Sequence, residues 1–396
     1  MADKRSELKD SLLSFNFLLV TFIGFIFFFD FHSLLLLPLH IKQIGGTEST
    51  IGFLMGTAGL STLFTTPLVG HFGDRIGKKI FVILGLLILS SSTLALTVIQ
   101  DTGIYYYILR LFHGIAFSLF FISAGALITD IAPSDKRAQA VGLYGVFTII
   151  NYALAPYFGK IIIENSGFKT LFITTGTVSL LCIPAALFVR EENSIKRVFN
   201  EKNLNFRILL TNKSTLIPSI TLFAAGAAFI PTLTFIPVFA KTIDIESFDL
   251  FFIAYTLSII IIRVFFGWLP DTYGKSRIAK PSLLLFSASI AMLSISGNIE
   301  TFIFSALIFG IAHGFVYPSI YSIVIDNVNA KSRTKAFALC SLSFTAGGMS
   351  GTFLSGIIAE DFGYLVMYLT ISAIAFAAFI IFTTLYRNVK SAALQY

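Results

Sequence analysis

The sequence predicts an all-α integral membrane protein of twelve transmembrane helices, arranged as two six-helix parallel repeats. Three observations carry that prediction. Apolar residues make up 56% of the 396 residues and charged residues only 12%, about half the charged share of an ordinary soluble domain. Apolar runs of span length alternate with short polar turns. Motifs of the first half return in the second after 196 or 197 residues.

A bilayer core about 30 Å thick takes roughly 20 residues of apolar helix. Runs of that kind fall at approximately 12–40, 49–71, 80–99, 104–130, 139–162 and 169–189 in the first half. The second half offers approximately 214–240, 248–269, 279–298, 301–326, 335–358 and 363–387. The polar stretch 190–213 separates them. The chain therefore divides into an N-terminal bundle over 1–189, a cytoplasmic linker over 190–213 and a C-terminal bundle over 214–396. The opening MADKRSELKD is charged, and the apolar run after it lacks a small-residue cleavage site, so the first helix is expected to stay as a span.

The cations set the orientation. Of the 28 Lys and Arg, Arg110 and Arg263 fall inside spans, and Lys42, Lys160, Lys169 and Lys241 fall on one side. All the others collect on the opposite side, in the termini, the linker and the even-numbered turns. That asymmetry predicts both termini in the cytoplasm. It also accounts for the net charge of +7 without a nucleic-acid partner. Cys182 and Cys340 sit inside apolar runs and support neither a disulfide framework nor a metal site. Nothing has the spacing of a phosphate-binding loop or of a nucleophile with its base. Neither enzyme chemistry nor a cofactor is expected.

The repeat is specific. Gly70, Asp74 and Gly77 in GHFGDRIGKK return as Gly267, Asp271 and Gly274 in GWLPDTYGKS. HGIAF from His113, followed by Asp130 and Arg137, returns as FGIAH from Phe309, followed by Asp326 and Arg333. Six spans per half place both copies in the membrane in the same sense, as in the parallel-repeat transporters. GHFGDRIGKK, between spans two and three, resembles the signature loop of the major facilitator superfamily. Gly70, Asp74, Arg75, Gly77 and Lys79 match it, with Lys78 in place of an arginine. The details most resemble the twelve-span drug:proton antiporter branch, through LLPLHIKQIGGTESTIGF after span one and RLFHG in span four. That branch's antiporter motif in span five is matched only by Gly142, Pro156 and Gly159, while Asn151, Ala155 and Lys160 depart from it. The resemblance implies that Asp74 caps a second-half helix and that Arg75 pairs with Asp130.

Ionisable groups inside spans are the candidates for mechanism, since each costs about 2.5–3.5 kcal/mol at a helix centre on insertion scales. Asp30 lies well inside span one and Arg110 in span four, at similar depth and with opposite charge. The pair is expected to couple transport to protons, or else to fix helix packing as a static ion pair. Arg263, near the inner end of span eight, is expected to reach the interface on its long stem. His113 and Asn151 are substrate-binding candidates with packing roles as the alternative. So are His313, Tyr317 and Tyr321, which recur at helical spacing on span ten. Gly347, Gly348, Gly351 and Gly356 in span eleven are expected to let helices approach closely.

Together these readings describe a monomeric secondary transporter in the bacterial cytoplasmic membrane. Its partners are protons, the lipid bilayer and a small amphipathic organic substrate, which it moves outward by alternating access. A proton-coupled importer of a sugar, organic acid or iron chelate, a lipid flippase, and a membrane sensor that transports nothing remain the alternatives.

Overall fold

The structure is a computed structural model that describes residues 13–133, 135–191, 212–328 and 333–393. Residues 192–211 of the linker lie outside them. Every regular element among the described residues is helical. The reason is solvent: in hydrocarbon a backbone must satisfy its hydrogen bonds within the segment, and a helix does that alone.

The first helix of the described residues is α1 (Phe15–Ser33), capped by the Ser14 hydroxyl, which accepts from the Phe17 N–H at 3.3 Å. A single 3-10 turn, Leu34–Leu36, carries it into α2 (Leu37–Gln43). Then follow α3 (Glu48–Ile76), α4 (Lys78–Ala95), α5 (Ile104–Ile131), α6 (Arg137–Ile149), α7 (Asn151–Leu181) and α8 (Ile183–Leu187). The second half is α9 (Lys213–Thr242), α10 (Asp249–Phe265), α11 (Leu269–Tyr273), α12 (Lys275–Ser294), α13 (Ile299–Asp326) and α14 (Arg333–Ala393).

Eight helical stretches are long and apolar enough to cross a membrane. Two of them, 49 and 51 residues long, are each long enough for two crossings. Both break at a glycine with positive φ: Gly167 (+77°) in α7 and Gly363 (+82°) in α14. The remaining two of the twelve are α10, with 17 residues, and α12, which opens on Lys275, Arg277 and Lys280. Twelve spans are consistent with this arrangement. The matching breaks show the repeat in the backbone itself, because Gly167 and Gly363 stand 196 residues apart. Gly77 (φ +110°) and Gly274 (φ +99°) likewise precede α4 and α12. A side chain rarely adopts that conformation, which is why these turns keep glycine.

The described residues fall into two compact units. One takes the chain through His40 and again from Leu60 up to the central segment; the other takes Ile41–Gly59 and the chain beyond that segment. The second unit thus includes the start of α3, which the division at 190–213 assigns to the first bundle. Glycine explains the grouping. A Cβ at Gly52 would stand 2.7 Å from the Thr352 carbonyl oxygen and 2.9 Å from the Gly356 Cα, so α3 and α14 approach there almost backbone to backbone. Glu360 accepts from the Ser49 N–H at 2.9 Å, and Tyr364 donates to Glu48 at 3.3 Å. Deeper in this unit, α9 runs along α14, where a Cβ at Gly347 would meet the Phe223 carbonyl oxygen and one at Gly351 that of Ala227.

Large apolar side chains such as Phe64 (71% exposed) and Phe188 (72% exposed) face outward, as a lipid-facing shell requires. Many hydroxyls inside spans are satisfied locally. Thr57, Thr129, Thr221 and Thr232 donate to the carbonyl four residues back at 2.6–2.9 Å, which lets a polar residue sit in an apolar helix.

Candidate functional site

In the first unit, Asp30 sits in the last turn and a half of α1, 1% exposed. The side chains of Thr93 on α4 and of Thr175 and Ser179 on α7 border it. Neither carboxylate oxygen has a hydrogen-bond partner, nor have Thr93 Oγ1 and Ser179 Oγ. Arg110 is elsewhere. Its guanidinium donates from Nη1 to His113 Nδ1 at 3.3 Å and lies within electrostatic range of Tyr106. The expected Asp30–Arg110 ion pair is therefore not the arrangement observed. Asp30 turns towards α4 and α7, while Arg110 meets His113 on its own helix.

A second polar run follows α5. Tyr106 shares a 3.1 Å hydrogen bond with His40 Nδ1. Because Arg110 can only donate, His113 accepts on Nδ1 and carries its proton on Nε2, an atom buried without a partner. Asn151 has its amide nitrogen engaged between helices and its Oδ1 buried without a partner. Its Nδ2 donates to the Phe25 carbonyl at 3.0 Å and the Phe147 carbonyl at 3.3 Å, tying α7 to α1. Of the antiporter-like positions, Gly159 holds α7 close to Leu36, where a Cβ would stand 2.5 Å from Leu36 Cδ1; Gly142 has open space, and Pro156 is buried inside α7.

The second unit gathers aromatic rings. Phe229 of α9 stacks on His313 of α13 with centroids 4.2 Å apart, and Tyr255 of α10 shares a 3.0 Å hydrogen bond with His313 Nδ1. One and two turns further along α13, Tyr317 packs on Tyr321 at 4.3 Å, and Tyr321 shares a 2.8 Å hydrogen bond with Ser341. Phe344 packs edge-on against Tyr317. The spacing of His313, Tyr317 and Tyr321 does build one stripe, completed by Phe229, Tyr255 and Phe344, which the sequence did not single out. Arg263, expected to reach for the interface, has its Nε buried and acts electrostatically on both His313 and Tyr317.

The signature loop is also built twice. Lys78, the first residue of α4, pairs with Asp130 at the end of α5. Lys275, the first residue of α12, pairs with Asp326 at the end of α13 at 2.6 Å. The partner of Asp130 is thus Lys78 and not Arg75; Gly77, with positive φ, turns the chain between them, so that Arg75 ends α3 and Lys78 opens α4. Glu191 was not anticipated: its carboxylate accepts from the N–H groups of Lys78 at 2.8 Å and Lys79 at 3.2 Å, capping α4. Gly70 has open space around it, whereas Gly267 lies against the Arg263 carbonyl oxygen, 2.6 Å from where a Cβ would stand. Asp271 lies 3.8 Å from Lys275. The side chain of Asp74 lies outside the described residues.

These features meet in a single family. The family model described as Major Facilitator Superfamily matches residues 18–277 and 242–394. The chain belongs to the Major Facilitator Superfamily. Among its relatives, the Staphylopine export protein of Staphylococcus aureus (strain Mu50) is 23% identical over 350 residues, covering 84% of this chain and 86% of that protein. The Multi-drug resistance efflux pump PmrA homolog of Lactococcus lactis is 25% identical over 375 residues, covering 88% and 89%. Among solved structures, the nucleoside transporter NupG superposes with a TM-score of 0.78 at 14% identity, over 94% of this chain and 99% of that one. A bacterial homolog of the human lysosomal transporter Spinster, inward-facing and unoccupied, gives 0.75 at 16% identity, over 94% and 95%. At such identities the likeness is one of fold. As a member of the superfamily the protein is a multi-pass transporter of small molecules and not an enzyme.

Proposed function

We propose that this superfamily member exports a small amphipathic organic compound in exchange for protons, with Asp30 as the group that carries the proton. The observation behind this reading is the environment of Asp30. A carboxylate buried in a span is costly, and a structural one would be held by hydrogen bonds or a cation. Among the described residues Asp30 has no cation beside it, and only the nearby hydroxyls of Thr93, Thr175 and Ser179, none in full hydrogen-bond geometry, border its oxygens. A group that must take up and give up a proton gains from that: no fixed charge locks it in the ionised state. The Arg110–His113 pair, about two helical turns in from the start of α5, is the second polar element of the coupling machinery.

Outward direction is supported by the relatives whose names describe export or efflux over more than four-fifths of both chains. Substrate recognition belongs to the rings of the second unit. Phe229, Tyr255, His313, Tyr317 and Phe344 present flat apolar faces with a few polar edges, which suits a compound with an aromatic or planar body. Asn151 ties helices rather than binding substrate in this reading. Transport follows alternating access by bundles over 1–189 and 214–396, with the linker 190–213 and both termini in the cytoplasm of a bacterial cell, as a monomer. Lys78–Asp130 and Lys275–Asp326 act in this cycle as ties at the ends of α4–α5 and α12–α13.

Everted membrane vesicles with a pre-formed proton gradient test this directly: an exported compound collapses the gradient when added. In reconstituted vesicles at matched protein level, Asp30→Asn is expected to insert and fold yet lose accumulation driven by a proton gradient, across about pH 6 to 8. Accumulation at the level of the unmodified protein would remove Asp30 from coupling.

A further inference from the structure

The surroundings of Asp30 have a chemistry of their own. Five oxygens converge from three helices: the two of the carboxylate and the hydroxyls of Thr93, Thr175 and Ser179. All four residues are at most 1% exposed. The carboxylate oxygens, Thr93 Oγ1 and Ser179 Oγ make no hydrogen bond. Thr175 Oγ1 gives its proton to the Leu171 carbonyl at 3.1 Å, which turns the hydroxyl into an acceptor towards anything else. Elsewhere in the spans, many hydroxyls are satisfied by the preceding turn of their own helix, and those buried without a partner, such as Thr21 and Ser319, do not border Asp30. Here they are left over beside a carboxylate.

We propose that Asp30, Thr93, Thr175 and Ser179 form a sodium site, in which Na+ and the proton compete for one carboxylate. The donor set is entirely hard oxygen, without nitrogen or sulfur, which favours an alkali or alkaline-earth ion over a transition metal. Charge then selects among those. One carboxylate neutralises one positive charge. A divalent ion would leave a net charge in a low-dielectric interior, where an unpaired charge costs far more than in water. A bound Na+ leaves the cluster neutral, as a bound proton does. Five oxygens are few for potassium and suit the smaller sodium ion.

No other charge at the site takes that role. Arg110 and His113 on α5 engage each other, and His32 on α1 stacks on Tyr152 of α7 at 3.9 Å. Tyr144 on α6 faces Gly24, a turn and a half below Asp30. Lys78 and Lys79 lie at the far end of α4, and Lys160 on α7 pairs with Glu164.

The competition rests on Asp30 being the proton carrier, but binding of sodium does not, so the two are measured separately. Purified full-length protein in detergent, without transport substrate, is titrated with radioactive sodium at constant ionic strength made up with choline chloride. Saturable binding is expected, with an apparent Kd that rises up to about tenfold per pH unit as pH falls. Thr93→Val and Ser179→Ala, checked as folded by gel filtration, each remove one ligand and are expected to weaken binding by about tenfold or more; Asp30→Asn is expected to abolish it. Absence of saturable binding in the unmodified protein overturns the proposal. So does binding that Asp30→Asn retains, or displacement by potassium as effective as by sodium. Proton-driven transport is assayed in sodium-free medium, so failure of the proton reading shows there and nowhere else.

Discussion

Replacing Gly310 with alanine tests the second-unit site through its supporting contact. Gly310 lies on α13 one turn before His313, and it faces α10. An added Cβ would stand 2.5 Å from the Tyr255 carbonyl oxygen and 2.8 Å from Ser258 Cβ. An ordinary contact needs about 3.4 Å, so the two helices must part by about 0.9 Å, and a backbone oxygen cannot rotate out of the way. The same separation carries His313 Nδ1 from 3.0 Å to the Tyr255 hydroxyl beyond the roughly 3.2 Å at which such a bond is good. Overpacking costs about 1–3 kcal/mol and the lost bond about 1 kcal/mol. Alanine's better helix propensity returns about 0.5–1 kcal/mol. The net expectation is about 1–3 kcal/mol less stable, with weaker substrate binding. Thermal unfolding in detergent measures the first, and Gly142→Ala is the control: nothing lies within 4 Å of its Cβ, so only the propensity gain applies. A Gly310→Ala protein melting at or above the unmodified protein would refute the reasoning about the α10–α13 contact.

Three further outcomes are expected. Lys78→Gln should cost less than about 1 kcal/mol, as partly exposed ion pairs do, yet slow transport, and exchanging the charges of Lys78 and Asp130 should restore part of the rate; an unchanged rate in Lys78→Gln would take the pair out of the cycle. Glu191→Ala should lower stability by about 0.5–2 kcal/mol through the lost cap on α4, read by thermal unfolding, with Glu191→Asp in between. Single cysteines at Gly45 and Ser166 should react with an impermeant thiol reagent from outside sealed cells and one at Thr272 should not, and the reverse pattern would overturn the orientation.

The architecture was legible because its signals are long or strict. A span is some twenty apolar residues, and the turns at Gly77 and Gly274 need a conformation that glycine supplies best. The motif spacing of 197 residues reappears in those two turns. The interior of the site was legible only in part. His313, Tyr317 and Tyr321 were found because they repeat along one helix. The neighbours of Asp30 were not, since Thr93, Thr175 and Ser179 sit on distant segments among many similar hydroxyls. Helices apolar on every side give no moment from which to read the inward face. The same gap misled the pairing of Asp30 with Arg110: depth follows from position along a span, but azimuth does not. Arg75 and Lys78 are three residues apart, and the turn between them decides which one meets Asp130.

Comparison of the halves separates what the fold demands from what the chemistry demands. The repeat keeps its frame: positive-φ glycines before α4 and α12, breaks at Gly167 and Gly363, and a lysine-to-aspartate pair at each equivalent end. It does not keep its interior. At the repeat spacing of 196 residues His113 corresponds to Phe309 and His313 to Phe117, so the histidines do not occupy equivalent places. Phe309 instead stacks on Phe229 at 5.8 Å, and Phe117 stacks on Phe31 at 5.0 Å. Asp30 and Arg110 have no charged counterparts, since residues 226 and 306 are Gly and Ala. A duplicated scaffold under packing selection alone would have no reason to place a costly buried carboxylate in one copy and an aromatic stripe in the other. The divergence agrees with the proposed function, in which the buried carboxylate of the first unit would carry the proton and the rings of the second would meet the organic compound, on a frame common to both halves.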